Sequence, residues 1–389
     1  MIEFNIKKIK RGKNMKTTLL CTVGASLFEG NLKKLNENFE NKPEYWKEIK
    51  DSFEKKQWDK LSELFQSINP SERFCGAEIN TIEEIRKKRW LTLENIVFFV
   101  SDTEDGKNTG KFLQLYYENR KDLNLKNVEV EIIELLQDKD PKKFKKEGLR
   151  NLVKKLGKMI KKYGSGYIAI DATGGYKAQI AVAVILGQTL NIPVFYKHEK
   201  FNEIIDFPPL PISLDYDILG KNADLLSLLE REDTIDNINE IILDEKLKVF
   251  IDTIDTKEGR LYSLNTLGTI YLESFRIRYP KAPNLISLND DERKEPTFSE
   301  HHYPKGLEDF VYKIWKKNKW IKTCYSMPYY GQAAIKGIYF KVDTDKKILI
   351  GIYKKGDDFG GRFGIEISDN NSVNLNWAAD YLNREYGNE

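Results

Sequence analysis

The sequence predicts an α/β chain: a parallel-sheet domain first, a helical linker next, and a small α+β domain with an antiparallel sheet last. Three observations carry this. Runs at residues 17–23 (TTLLCTV), 95–100 (NIVFFV) and 167–170 (YIAI) are almost continuously apolar and alternate with helical stretches, as parallel strands buried on both faces do. Each run is followed by Gly, Ser, Thr or Asp within three residues of its carboxyl end. Residues 322–367 instead carry four short strands in succession with no helix between them, which calls for antiparallel pairing.

The elements follow in order. Residues 1–14 (MIEFNIKKIKRGKN) are a basic stretch before the first strand, and Met15 is an alternative start. The apolar run behind it is too short for a secretion signal. Strand 17–23 turns through Gly24, Ala25, Ser26 and Leu27 into a helix opening at Asn31 and Leu32. Residues 33–95 are mostly helical, 110–125 form a helix and 128–135 (VEVEIIEL) a strand. Residues 142–163 form a basic amphipathic helix with Phe144, Leu149, Leu152, Val153, Leu156 and Ile160 on one face. That is the crossover helix a parallel strand at 167–170 requires. The apolar helix AQIAVAVILGQTL follows, and Pro208, Pro209 and Pro211 close the domain. Helices are expected at 221–231 and 234–253, then a strand, turn and helix within 259–278, then a polar linker at 281–300. The last domain reads as helix 307–321, strands 322–327, 334–342, 347–353 and 362–367, and helix 374–386. The domains are thus 15–215, 216–285 and 300–389.

Composition bounds the function. The chain has 389 residues and a net charge of only +3, so it is not a general polycation. It has no apolar run of membrane-spanning length, so no membrane partner is expected. Cys21, Cys75 and Cys324 form no pair or metal spacing, which fits a reducing, cytoplasmic setting.

The candidate site lies at the strand ends. In IAIDATGGYK a strand passes through Thr173, Gly174 and Gly175 into a helix that begins near Tyr176 and Lys177. Backbone N–H groups and the positive end of the helix dipole make such a turn an anion site. It matches neither the P-loop nor the dinucleotide fingerprint. Gly24, Ala25, Ser26 and Leu27 after the first strand, with Asp102 and Thr103 after the second, sit at equivalent places, and ligands of open parallel sheets bind outside such strand ends.

The stretches VGASLFEGNL, CGAEINTI, FFVSDTEDGKNTG and IDATGGYKAQIAVAVILGQTLNIPVFYKHEKFNEIIDFPPLPISLD together resemble the CRISPR-associated Rossmann-fold (CARF) domains over residues 15–215. The resemblance implies a Rossmann-like sensor of cyclic oligoadenylate, the second messenger of type III CRISPR systems, bound across a homodimer axis. It implies that Gly24–Leu27, Asp102, Thr103 and Thr173–Lys177 line the ligand site, with cyclic tetra-adenylate the favoured ring. It also leaves room for a second activity, ring cleavage, because Ser26 and Lys177 match a Ser and a Lys of ring-opening members. Residues 216–285 resemble the winged-helix linkers that several such proteins carry.

The C-terminal domain has its own chemistry. Residues 305–355 hold twelve lysines against four acids, a balance of +8, with Tyr325, Tyr329, Tyr330, Tyr339 and Tyr353 interleaved. Cations that hold phosphates and rings that stack on bases suit RNA. The strand IGIYKK has Gly351 where a metal nuclease would carry Glu, and His198, His301 and His302 fit no HEPN-type spacing. A cofactor-free ribonuclease remains, which aligns the RNA 2′-OH on its own phosphate. With its helix-then-sheet order, the segment resembles the RelE-type mRNA interferases. That resemblance implies Lys336, Lys341, Lys354, Lys355 and Arg362 as charge stabilisers and Tyr339 or Tyr353 as proton relay, acting on messenger RNA at the ribosome. Two other readings stay open: a stand-alone ring nuclease, and a non-enzymatic regulator that binds DNA through the linker.

Overall fold

The computed structural model describes residues 15–198, 201, 203–232, 234–236, 245–257, 259–299, 303–328, 337–355 and 359–389. The extension 1–14 and the expected Lys336, Tyr329, Tyr330, His301 and His302 lie outside these residues. The chain divides into two compact units, Met1–Ser213 and Leu214–Glu389.

The first unit is built on one six-stranded sheet. Its strands are β1 (Thr18–Thr22), β2 (Asn95–Ser101), β3 (Asn127–Ile133), β4 (Ile168–Asp171), β5 (Val194–Tyr196) and β6 (Ile205–Phe207), in the order β3-β2-β1-β4-β5-β6. All neighbours are parallel except β5 and β6. The chain runs outward from β1 through β3, then restarts at β4 on the other side of β1. The strand order therefore reverses between β1 and β4, and the crevice of such a sheet opens at their carboxyl ends. Helices α1 (Trp46–Glu54), α2 (Trp58–Phe65), α3 (Gly76–Lys87), α4 (Glu104–Glu118), α5 (Pro141–Lys143), α6 (Leu149–Tyr163) and α7 (Lys177–Thr189) fill the connections. β1, β2 and β4 are buried nearly throughout, as their unbroken apolar runs require. α6 buries the stripe of Leu152, Val153, Leu156 and Ile160, and Gly164, at φ +81°, ends it by donating its N–H to Ile160. The first helix begins earlier than expected: residues Ser26–Leu32 form a π-helical turn directly after β1.

The second unit holds two antiparallel sheets. Strands β7 (Ile235–Asp236), β8 (Ile251–Thr256) and β9 (Gly259–Leu264) pair in the order β7-β9-β8. Strands β10 (Ile321–Met327), β11 (Gly337–Asp343), β12 (Ile348–Lys354) and β13 (Gly361–Ile367) pair in the order β10-β13-β12-β11. Helices α8 (Asp217–Lys221), α9 (Ala223–Arg231), α10 (Glu245–Lys248), α11 (Thr266–Arg278), α12 (Leu307–Lys317) and α13 (Ser372–Tyr386) complete it. One core joins Leu225, Leu226, Leu229, Leu264 and Phe275 to Phe340, Leu349, Phe363, Leu375 and Leu382. The stretches expected as a 216–285 linker and a 300–389 effector thus share a single interior. Arg276 of α11 spans it, bonding Glu230 at 2.7 and 2.8 Å and Asp380 at 2.7 Å.

The helix expected over 234–253 is not formed as such. Its described residues give a two-residue strand, the four-residue α10 and the start of β8. The alternation and β-branching of IDTIDT favour a strand over a continued helix.

Candidate ligand-binding site

At the switch point, two glycine turns press together. A Cβ on Gly24 would lie 2.7 Å from the Gly175 nitrogen, and one on Gly174 would lie 2.6 Å from the Gly24 nitrogen and 2.7 Å from the Thr22 carbonyl. Only glycine permits this approach. The junction is tied by hydrogen bonds: Thr22 Oγ1 donates to the Gly174 carbonyl at 2.6 Å, and the Gly24 N–H donates to Glu78 Oε1 at 2.8 Å. Thr173 N–H donates to Asp171 Oδ1 at 3.1 Å, while Thr173 Oγ1 accepts from the Lys197 N–H at 3.0 Å and meets Thr81 Oγ1 at 3.2 Å. Gly175, at φ +99°, delivers the chain into α7, where Tyr176 N–H donates to Gln179 Oε1 at 2.5 Å.

The structure therefore presses Gly24 against Gly174 and Gly175, with Ala25, Ser26 and Leu27 following the first turn in sequence, and Thr173, Tyr176 and Lys177 flanking the second. Ser26 and Lys177 are exposed, and Leu27 is buried in the core. Asp102 and Thr103 stand between the end of β2 and the start of α4. Asp102 pairs with Lys107 at 2.7 Å, which holds its carboxyl below the usual range, and Thr103 caps α4 by accepting the Gly106 N–H at 3.0 Å.

Sequence reasoning missed the floor of the site. Glu78 and Asp171 are completely buried beneath the glycine turns, and burial raises both carboxyls, Asp171 to about 8. The bonds from Gly24 and Thr173 oppose that shift without cancelling it. Burial thus disfavours negative charge on both, most strongly on Asp171, and it pushes the thiol of Cys21 beside them well up as well. Glu78 Oε2, Asp171 Oδ2 and Gln179 Nε2 have no hydrogen-bond partner among the described residues. Glu78 stands in the first turn of α3, where an acid ordinarily answers the helix dipole, so its sequence position carried no sign of this role.

A cleft of about 250 Å³ opens beside Ser26, lined by Gly30, Asn31, Lys34, Arg73, Gly76, Ala77, Asn80 and Lys197. The Lys197 ammonium is paired with Glu84.

In the second unit, strand register sorts the expected catalytic residues. Met327, Arg362, Ile352 and Tyr339 form one row across the sheet, and Tyr325, Gly364, Ile350 and Lys341 the next. Lys354 shares this face with them by alternation. Tyr353 does not: it lies on the opposite, core face, buried against Phe310 at 5.4 Å. Lys355 follows the end of β12, its ammonium 5.5 Å over the Tyr353 ring. Tyr339 and Lys341 are on the outer face but are engaged by α9. Arg231 lies over the Tyr339 ring at 5.0 Å, and Lys341 pairs with Asp224 at 3.1 Å. Arg362, Lys354 and Tyr325 are partly exposed. Among the described residues no group of three or more His, Cys, Asp or Glu could hold a metal ion, and no helix is long and apolar enough to cross a membrane.

No curated protein matches the chain. The structure of Can2 from Sulfobacillus thermosulfidooxidans in complex with cyclic tetra-adenylate is similar at 8% identity over 92% of this chain and 75% of that one, with a TM-score of 0.24, too low to establish a common fold. Residues 73–210 are similar to the family described as CRISPR-associated protein (Cas_APE2256), a stretch that takes in α3, β2 to β6 and the Gly174-Gly175 turn.

Proposed function

We propose that the chain is an ancillary effector of type III CRISPR defence. Its first unit binds cyclic oligoadenylate, in the form of cyclic tetra-adenylate, as an allosteric activator. Its second unit is a metal-independent ribonuclease of RelE type that cuts messenger RNA. The observation that carries the first half is the paired glycine turn at the carboxyl ends of β1 and β4, within or beside the stretch similar to a CRISPR-associated family. The N–H groups of Gly24, Thr173 and Tyr176 are occupied by Glu78, Asp171 and Gln179. A phosphate is therefore met by the donors of Gly174, Gly175 and the first turn of α7, with the Lys177 ammonium beside them. The upward shift of the Glu78 and Asp171 carboxyls favours this, because burial disfavours negative charge beneath an anion site, where ionised carboxylates would repel the ligand.

A homodimer is supported by α7. Its sequence is apolar nearly all round, yet Ala181 and Ile185 are exposed. A helix of that kind is ordinarily covered on every side.

For the second unit the reaction is in-line transesterification. The RNA 2′-oxygen loses its proton and attacks the adjacent phosphorus, and the 5′-oxygen of the next nucleotide leaves and takes up a proton. Arg362, Lys354 and Lys355 stabilise the charge that builds on the phosphate oxygens. Tyr325, on the same face as Arg362, has its hydroxyl raised by burial, which suits a proton donor to the leaving oxygen. Tyr353, on the core face, is replaced in that role.

The test is translating ribosomes with messenger RNA, with and without cyclic tetra- or hexa-adenylate, reading RNA cuts and the fate of the ring together. Messenger-dependent cuts lost in Lys177→Ala support the proposal. Intact RNA with a linearised ring moves the activity to the first unit, where Ser26 and Lys177 are exposed. Intact RNA with an intact, bound ring makes the chain a regulator.

A further inference from the structure

We infer that the cleft at the start of α3 seats one phosphate-bearing nucleoside of the bound ring, held by Arg73 and Lys34. The inference rests on the cyclic oligoadenylate reading and assigns it residues outside the glycine turns. Three observations carry it. First, the cleft continues the site already described. Ser26 lines it, two residues after Gly24, and Gly76 and Ala77 of α3 form its wall, immediately before Glu78, which holds the Gly24 N–H. The start of α3 is pressed onto the turn, since a Cβ on Gly76 would come within 3.0 Å of Leu27 Cβ.

Second, its charge is unanswered. Lys197 is paired with Glu84, but among the described residues no carboxylate pairs with Arg73 or Lys34, which are both exposed at the cleft. Two unneutralised cations on separate segments, facing the first turn of a twelve-residue helix, favour an anion between them. Asn31 and Asn80 use their amide N–H groups on the Phe74, Pro70 and Glu72 carbonyls. Their side-chain oxygens remain as acceptors, which suits the amino or hydroxyl hydrogens of a nucleoside better than a bare anion. Third, the size is selective. At about 250 Å³ the cleft falls just below the roughly 300–1,000 Å³ of pockets that swallow a whole drug-sized ligand. One nucleotide fits that scale and a complete ring does not.

The experiment is calorimetric titration of the full chain with cyclic tetra-adenylate, with adenosine monophosphate and inorganic phosphate as separate probes. Arg73→Ala, Lys34→Ala, the double variant and Arg73→Lys are compared with the unsubstituted chain, and thermal melting confirms that each is folded. The inference expects Arg73→Ala to weaken ring binding about tenfold to a hundredfold. It expects the double variant to be weaker still, Arg73→Lys to keep part of the affinity, and adenosine monophosphate to bind more tightly than phosphate. Ring binding unchanged in the double variant overturns the inference and leaves the glycine-turn site standing. Phosphate binding as tightly as the nucleotide overturns the nucleoside assignment. A folded, unsubstituted chain that binds no ring overturns both this inference and the reading it rests on.

Discussion

Replacing Asp171 by asparagine probes the floor of the site through its proton. Asp171 is completely buried, and its carboxyl is raised from an ordinary value near 4 to about 8. In the unfolded chain it ionises near pH 4, so between pH 4 and pH 8 the folded chain holds a proton that the unfolded chain has lost. Stability then falls as pH rises through that interval, by about 1.4 kcal/mol per pH unit, and is level above pH 8. Across the interval the loss attributable to Asp171 is roughly 5–6 kcal/mol, a large share of a typical domain's stability. In the Asp171→Asn variant the side-chain amide oxygen would still accept the Thr173 N–H, and there is no charge to bury. That chain should match the unsubstituted one near pH 4 and become progressively more stable than it toward pH 8. Urea denaturation at pH 4.5, 6, 7 and 8 measures the difference, in which the titration of other groups cancels. A difference between the two chains that does not change with pH would refute the reasoning, because it would mean Asp171 ionises alike in both states.

Other perturbations are equally definite. Gly174→Ala forces a methyl to within 2.3 Å of Glu78 Oε1 and against the backbone of Gly24 and Thr22, so overpacking of about 1–3 kcal/mol is expected. The melting midpoint should drop by about 2–4 °C per kcal/mol, whereas Gly30→Ala, with open space around its Cβ, should lower it by no more than about 2–4 °C; equal midpoints would deny the close approach. Arg276→Ala takes the shared guanidinium from the half-buried Glu230 and the buried Asp380, which keeps only Arg384 among the described residues, and should cost about 2–4 kcal/mol in chemical denaturation. Asn383→Ala removes the side chain that bonds both the N–H and the carbonyl of Phe340, at 2.9 and 2.7 Å, on the outer strand of the four-stranded sheet. It should cost about 1–3 kcal/mol and speed hydrogen exchange at Phe340; unchanged exchange there would show that the brace is not used.

Much of the first unit was legible because its signals are local. Apolar strands, the stripe of the 142–163 helix and the glycines at 24, 174 and 175 each leave a mark within a few residues, and the parallel order follows from them. What joins the turns was not legible. Glu78, Thr22 and Thr81 act across long stretches of sequence, and nothing in CGAEINTI distinguishes an acid that braces a distant backbone from one that answers its own helix. In the second unit, period-two alternation separates Tyr353 from Lys354 on one strand, but which face meets the core depends on where α12 and α13 pack. Tyr339 and Lys341 show a further limit. They point away from the core, yet α9, more than a hundred residues earlier, covers them through Arg231 and Asp224. The failed helix at 234–253 has the reverse cause: its spacing tolerates a helix, and the pairing of β8 with β9 decides for strand.

The most direct measurement is a titration of the full chain with cyclic tetra-adenylate, followed by calorimetry together with the mass of the complex. The account predicts saturable binding at one ring per two chains, abolished in a folded Gly174→Ala chain. A folded, unsubstituted chain that takes up neither cyclic tetra-adenylate nor cyclic hexa-adenylate would contradict it.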